Sequence, residues 1–231
     1  MSNIQKVVQT KQKSGKRGNT RLRLMEAAER LFAEHGLHAV TLREINNAAG
    51  QRNESALHYH FGSKAGLIEA IFIHRVAIID QTRQERVEAL AGTDLENDLH
   101  AIIRATFEPL TELLATEEGV RFIRFSAQVL NDPDYDLPTI ALRSGYEGIR
   151  RANMLIVSVL GDLPPEIAIQ RQRLMIEMAL SSMAIWTRRA DPLASKAERL
   201  FFTANLFDAI VGAVSAPVSA EAMAALRKRN A

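Results

Sequence analysis

From Thr20 onward the apolar residues Leu24, Ala27, Ala28, Leu31 and Phe32 recur three and four apart, which marks one buried face of a helix. Gly36 ends the run as a C-cap. The next segment, TLREINNAAG, opens with Thr41 and Glu44 spaced as a capping box. Leu42, Ile45, Ala48 and Ala49 give this short helix its apolar face, and Gly50 closes it. A third short helix fits about Asn53 to Tyr59. Ser63 then caps a longer fourth one that turns Leu67, Ile68, Ile71 and Phe72 inward. Two short helices about a tight turn at Gly50, packed on a first helix, make a helix-turn-helix. Upstream, residues 1–19 lack periodicity and contain Ser14, Gly15, Gly18 and Asn19, so a flexible arm is expected there.

Beyond residue 72 the pattern stays helical between breakers at Gly92, Glu117–Gly119, Asn131–Pro138, Gly161–Pro165, Ala190–Pro192 and Ser215–Pro217. Asp162 and Asp191, each just ahead of proline, are expected helix starts, as is the capping-box pattern of Ser195 and Glu198. Pro109 either kinks its helix or begins another. Alternation never persists, no Asn-Gly hairpin turn occurs, and no internal repeat is visible. The pattern therefore predicts an all-α protein.

Composition adds constraints. The 231 residues include no cysteine, which excludes disulfides and thiolate metal sites and fits a reducing compartment. No apolar run approaches the roughly 20 residues that cross a bilayer, and the polar N-terminus lacks a signal-peptide core. A soluble, cytoplasmic protein without membrane partners is expected. The net charge of +2 is unevenly placed: residues 1–75 hold 12 Lys and Arg against 6 Asp and Glu, while the remainder holds 17 against 21. Lys6, Lys11, Lys13, Lys16, Arg17, Arg21 and Arg23 all precede the first acid, Glu26. That asymmetry points to a polyanion partner for the N-terminal part, or to a merely solvated leader.

The segment ALHYHFGSKAGL, residues 56–67, poses the chemical question. His58 and His60 are two apart, about 200° around a helix, so they cannot converge on one metal ion. No nucleophile–base arrangement is evident, which argues against an enzyme using these histidines. Reading of DNA fits better. The second helix of a helix-turn-helix enters the major groove, and RNESALHY offers Arg52, Asn53, Ser55 and His58 as hydrogen-bonding groups. Arg pairs with guanine and Asn with adenine, while Ala56 suits a thymine methyl. Tyr59 and Lys64 suit phosphate oxygens, as do the helix starts at Thr41 and Ser63.

Gly36, Thr41, Ala49-Gly50, Tyr59-His60-Phe61 and Ser63-Lys64 together resemble the helix-turn-helix domain of the tetracycline-repressor (TetR) family. The resemblance covers residues 20–72. It departs from the family in one respect: ten residues separate Gly50 from Phe61 where nine are usual, and QRNE replaces the usual turn, which blurs the start of the recognition helix. After the flexible arm (1–19), the resemblance implies a three-helix DNA-binding domain (20–66) and an all-helical ligand-binding and dimerisation domain (67–231). It implies Tyr59 and Lys64 on phosphates, Phe61 in the core and His60 bracing the turn into the fourth helix. Dimerisation would use the last two large helices, where Leu174, Met178, Ser181, Ser182 and Ile185 form one stripe and Leu200, Ala204, Phe207, Ile210, Val211 and Val214 another. Phe107, Phe122, Phe125, Met154, Met175 and Trp186 are candidate walls of an apolar effector cavity, and Arg121 and Arg124 either meet an anionic ligand or pair at the surface. The expected function is a homodimeric transcriptional repressor, without cofactor or enzymatic activity, released from a palindromic operator by a small apolar or amphipathic effector. The rival is an effector-independent architectural DNA binder, with steep salt dependence and weak sequence preference.

Overall fold

The computed structural model describes residues 3–51, 55–137, 139–140, 144–161, 163–191, 193 and 195–230, with side chains from residue 19 onward. All regular structure among them is helical. Helix α1 (Asn3–His35) starts upstream of the expected Thr20, in the segment read as a flexible arm. No proline removes an N–H between residues 3 and 19, and Gly15 and Gly18 lower helix propensity by about 1 kcal/mol each without interrupting the hydrogen-bond ladder. Gly36, at φ 94°, ends α1 in a backbone conformation that a side chain would strain.

Helices α2 (Leu42–Ala48) and α3 (Ser55–Phe61) complete the N-terminal head. Helix α4 (Lys64–Glu88) leads out of it. At 25 residues it is about 37 Å long, so a domain boundary at residues 66/67 falls in the first turn of a continuous helix. The body comprises α5 (Leu99–Thr111), a 3-10 turn (Glu112–Ala115), α6 (Glu117–Leu130), α7 (Glu147–Leu160), α8 (Pro165–Arg189), α9 (Lys196–Ser215) and α10 (Ala220–Arg229). Helix α4 packs on α5 and α7, α6 on α1 and α8, and α9 on α5 and α8. One hydrophobic cluster runs from Leu24 of α1 to Val214 of α9, joining head and body.

Several breaks differ from the sequence pattern. Glu117–Gly119 is the first turn of α6; the chain breaks just before it, and Thr116 caps the helix by accepting the Gly119 N–H at 3.0 Å. A Cβ on Gly119 would lie 2.0 Å from the Leu113 carbonyl oxygen, so only glycine fits so close to the preceding turn. Helix α5 continues through Pro109 to Thr111. Asp191 accepts the Leu193 N–H in a local turn, and α9 starts instead under Ser195, which accepts the Glu198 N–H at 3.2 Å. Asp162, Pro138 and Pro192 lie outside the described residues. Among those described, no single helix is long and apolar enough to cross a membrane.

Helix α7 has no side-chain cap of its own. Asp80 of α4 supplies one across the interface: its carboxylate accepts the Gly148 and Ile149 N–H groups at 2.8 Å each and Arg83 Nη1 at 2.7 Å. Arg83 also donates from Nε to the Thr106 carbonyl of α5 at 2.9 Å. Both side chains are buried. A Cβ on Gly148 would sit 2.5 Å from the Asp80 carbonyl oxygen, so the two helices touch backbone to backbone.

Candidate nucleic-acid interface

The expected capping box is present. Thr41 Oγ1 accepts the Glu44 N–H at 3.2 Å, and the Glu44 carboxylate accepts the Thr41 N–H at 2.7 Å and its hydroxyl at 2.8 Å. These bonds hold the Glu44 carboxyl below its ordinary pKa. They fix the start of α2, while Gly50 at φ 65° turns the chain away from its end. On α3, Leu57 is buried and Ala56 half-buried, whereas Ser55, His58 and Tyr59 are exposed. Positions i, i+3 and i+4 share one helix face, so these three make a continuous polar surface opposite the residue that anchors the helix. Tyr59 is 68% exposed, the accessibility a phosphate contact requires. Arg52 and Asn53, the proposed guanine and adenine readers, lie outside the described residues.

The joint from α3 to α4 is tight. Gly62 adopts φ 71°, Ser63 caps α4 by accepting the Gly66 N–H at 3.0 Å, and a Cβ on Gly66 would fall 2.2 Å from the Phe61 carbonyl oxygen. His60 is half-buried with its ring between those of Tyr59 and Phe61, at centroid distances of 5.2 and 6.0 Å. Phe61 packs against the core, and the Arg21 guanidinium lies 5.2 Å from its ring centre. Lys64 turns inward. Its Nζ donates to the Val40 carbonyl at 2.6 Å and stands 5.6 Å from the centre of the Phe32 ring, and burial pulls its pKa below the ordinary lysine value. One of its three donors is thereby committed, and the ammonium is held beside the start of α2.

Head and body meet at a charged junction that periodicity did not reveal. Glu29 of α1 is buried and takes a two-pronged contact from Arg75 of α4, at 2.7 Å from Nε and 3.0 Å from Nη2. Arg75 Nη1 reaches Glu118 of α6 at 2.5 Å. Burial raises the Glu29 pKa, and Arg75 opposes that shift. Gln128 donates to the Phe32 carbonyl at 2.9 Å, and His38 pairs with the buried Asp132 at 2.8 Å. The available signal was Glu29 itself, an acid on the buried stripe between Met25 and Phe32.

The six proposed cavity residues do not line one space. Phe107, Phe122, Phe125 and Met175 are packed in the core, with the Phe122 and Phe125 ring centres 6.3 Å apart. Trp186 stacks on Phe202 at 4.6 Å and 8°. Met154 is 60% exposed, its sulfur meeting Arg150 at 3.1 Å. Apolar spacing marks inward positions but does not separate solid core from a cavity wall. Two clefts lie elsewhere. One of about 520 Å³ separates α8 from α10, beside Ile167, Leu174, Val218 and Leu226. The other, about 450 Å³, opens at the head–body junction beside Arg23, Arg30, Arg75, Glu118 and Arg121. Arg124 donates to the Thr187 hydroxyl and carbonyl of α8, so it holds two helices together.

Residues 24–71 match the family model of bacterial regulatory proteins, tetR family. Over 97 residues the chain is 36% identical to the HTH-type transcriptional repressor KstR2 of Rhodococcus jostii, an alignment covering 42% of this chain and 46% of that protein. Over 90 residues it is 32% identical to the HTH-type transcriptional repressor AcnR of Corynebacterium efficiens, covering 39% and 42%. The aligned stretch thus spans less than half of either repressor. The fold resembles solved structures along most of the chain. A candidate tetR family transcription regulator from Shewanella sp. PV-4 superimposes with a TM-score of 0.56 at 20% identity, over 82% of this chain and 97% of that one. NalD, the secondary repressor of the MexAB-OprM multidrug efflux pump in Pseudomonas aeruginosa, gives 0.55 at 20%, over 83% and 96%. The match falls on α1 to α4, where the capping box, the turn and the exposed face of α3 lie, so the head of this chain is similar to that of the tetR family of bacterial regulatory proteins.

Proposed function

We propose that this chain is a homodimeric, DNA-binding transcriptional repressor that acts in the cytoplasm and leaves a palindromic operator when a small apolar or amphipathic molecule binds its body. The observation that carries the reading is the exposed face of Ser55, His58 and Tyr59 on a helix packed against α2 and α4. In this reading Ser55, Ala56 and His58, with Arg52 and Asn53 ahead of them, face base edges, and Tyr59 and Thr41 meet phosphates. Lys64 contributes its charge at the α2 end while bracing the loop before it. The two aligned relatives are named as repressors, which supports repression over activation.

Dimerisation is supported by the surface of the last two large helices. Leu174 and Ile185 of α8 and Leu200 and Phe201 of α9 are all exposed, Phe201 to 77%. Large exposed apolar side chains gathered on these two helices support a partner surface there, and a two-fold pairing would set two recognition helices one DNA turn, about 34 Å, apart. In the α9 stripe, Phe207, Ile210 and Val214 face the core of their own chain, so Leu200 and Ala204 are left for the partner, joined by Phe201 outside the stripe.

Selection of bound sequences from a random duplex pool at about 150 mM salt, near physiological ionic strength, tests the function. A palindrome with half-sites one turn apart is expected. Absence of any enriched motif with folded protein overturns the operator-reading function.

A further inference from the structure

We propose that the cleft between the head and α6 binds a small oxyanion, a molecule presenting carboxylate or phosphate oxygens, through Arg23, Arg30, Arg75 and Arg121. This is a site apart from the core, and it deepens the effector reading above by naming a ligand chemistry. The cleft measures about 450 Å³, within the range of small-molecule sites, and its walls come from α1, the end of α2, α4 and α6.

Its arginines are unequally satisfied. Arg23 and Arg30 are seven residues apart on α1, two turns along one face, and among the described residues neither has a carboxylate within ion-pair distance. Among the described residues Arg121 forms an ion pair only with Glu117, at 3.9 Å, a looser contact than a hydrogen-bonded pair. Arg75 forms the floor. Its bond to the buried Glu29 is structural, but its Nη1 is directed at Glu118, whose side chain is 58% exposed. An anion entering the cleft meets three guanidinium groups with spare donors and displaces at most one solvated carboxylate. Planar guanidinium forks match the paired oxygens of carboxylate and phosphate. A nucleic-acid backbone is a poorer occupant, because its successive phosphates cannot all face arginines in a cleft that Glu26 and Glu118 also line, whereas a single small oxyanion can.

Position gives the site its consequence. Arg23 and Arg30 belong to the head and Arg121 to the body, so a bound anion holds groups whose separation depends on how the head sits. Such a ligand has unequal affinity for different head orientations, and DNA and anion then alter each other's binding by the same factor. That coupling rests on the proposed DNA-binding function, so anion binding is measured first without DNA.

The test is calorimetric titration of the full chain with inorganic phosphate, pyrophosphate and succinate at constant ionic strength, with chloride as control. One saturable site per chain is expected for at least one of the three, and the preferred probe separates phosphate from carboxylate recognition. Arg30→Gln and Arg121→Gln each weaken it about tenfold, the loss of one charge-assisted hydrogen bond, with unchanged thermal unfolding of the ligand-free protein. Glu118→Gln tightens it roughly two- to fivefold, because the competing exposed ion pair is gone. No saturable binding by any probe, or binding indifferent to all three substitutions, overturns the proposal.

Discussion

Replacing Asp80 by alanine tests how the body holds α4. The Asp80 carboxylate carries three hydrogen bonds of 2.7–2.8 Å, one to the buried Arg83 and two to the first amides of α7. Stranding one member of a buried ion pair costs about 3–5 kcal/mol, and each orphaned buried amide about 1–3 kcal/mol. These costs overlap, since water entering the space serves both, so a total near 4–6 kcal/mol is expected. The pair is almost fully buried, so solvent screening does little to reduce this. Against a net stability of roughly 5–15 kcal/mol, such a loss brings the chain close to unfolding at 37 °C. The assay is urea denaturation at one fixed protomer concentration, because a dimer's stability depends on concentration. Adding Arg83→Met to Asp80→Ala removes the stranded charge and recovers about 1–3 kcal/mol as a coupling energy. A loss below about 1 kcal/mol for Asp80→Ala, or no coupling with Arg83→Met, refutes the cross-helix cap.

Other outcomes follow from the same geometry. Tyr59→Phe weakens binding to all duplexes alike, by about 0.5–1.5 kcal/mol, whereas Asn53→Ala relaxes preference at one position of each half-site; equal loss at every base in the Asn53 variant removes its assignment as a base reader. Phe201→Asp converts dimer to monomer in sedimentation, and an unchanged dimer would place the interface elsewhere. Burial holds the Glu29 pKa above its ordinary 4.5, so its contribution to stability is full below the unfolded value and lost as pH rises through the folded one. The stability of Glu29→Gln relative to the parent therefore falls on acidification from neutral pH to 4.5, and a pH-independent difference excludes a raised pKa. Removing residues 1–19 lowers the slope of log affinity against log salt, and an unchanged slope leaves their basic residues without a role in DNA binding.

What the sequence disclosed were the local devices, because a cap or a tight turn needs only residues a few positions apart. Thr41 with Glu44, Gly50, Ser63 and the period of α1 could all be found that way. Contacts between residues far apart in sequence left no such trace. Asp80 reads as a polar residue in an amphipathic helix, yet it caps a helix 68 residues further on. Lys64 reads as a surface cation, but its ammonium is folded back onto Val40. Met154 and Phe125 look equivalent by hydrophobicity, although one is exposed and the other fully buried. The split of the α9 stripe between its own core and an outer face was likewise invisible, since both halves are apolar.

The place of the Asp80 cap along α4 bears on how the body can govern the head. Asp80 lies 16 residues beyond Lys64, about 24 Å along the helix axis. A tilt of 10° about that point displaces the head end of α4 by roughly 4 Å, more than the rise of about 3.4 Å per base pair and about a third of the width of a major groove of roughly 12 Å. In a dimer the two displacements act on one half-site separation. Under the proposed function the body needs no large rearrangement: a ligand with a few kcal/mol of preference for one tilt would suffice to shift the population. Five residues from that pivot, on the head side, Arg75 binds the buried head carboxylate of Glu29 and the exposed body carboxylate of Glu118 at once, and so opposes the tilt. The apolar contact of Phe32 with Phe125, ring centres 6.1 Å apart, tolerates sliding because packing is weakly directional. Hydrogen-bonded charges tolerate it less, so the Glu29–Arg75 pair restrains the angle between head and body alongside the shared core.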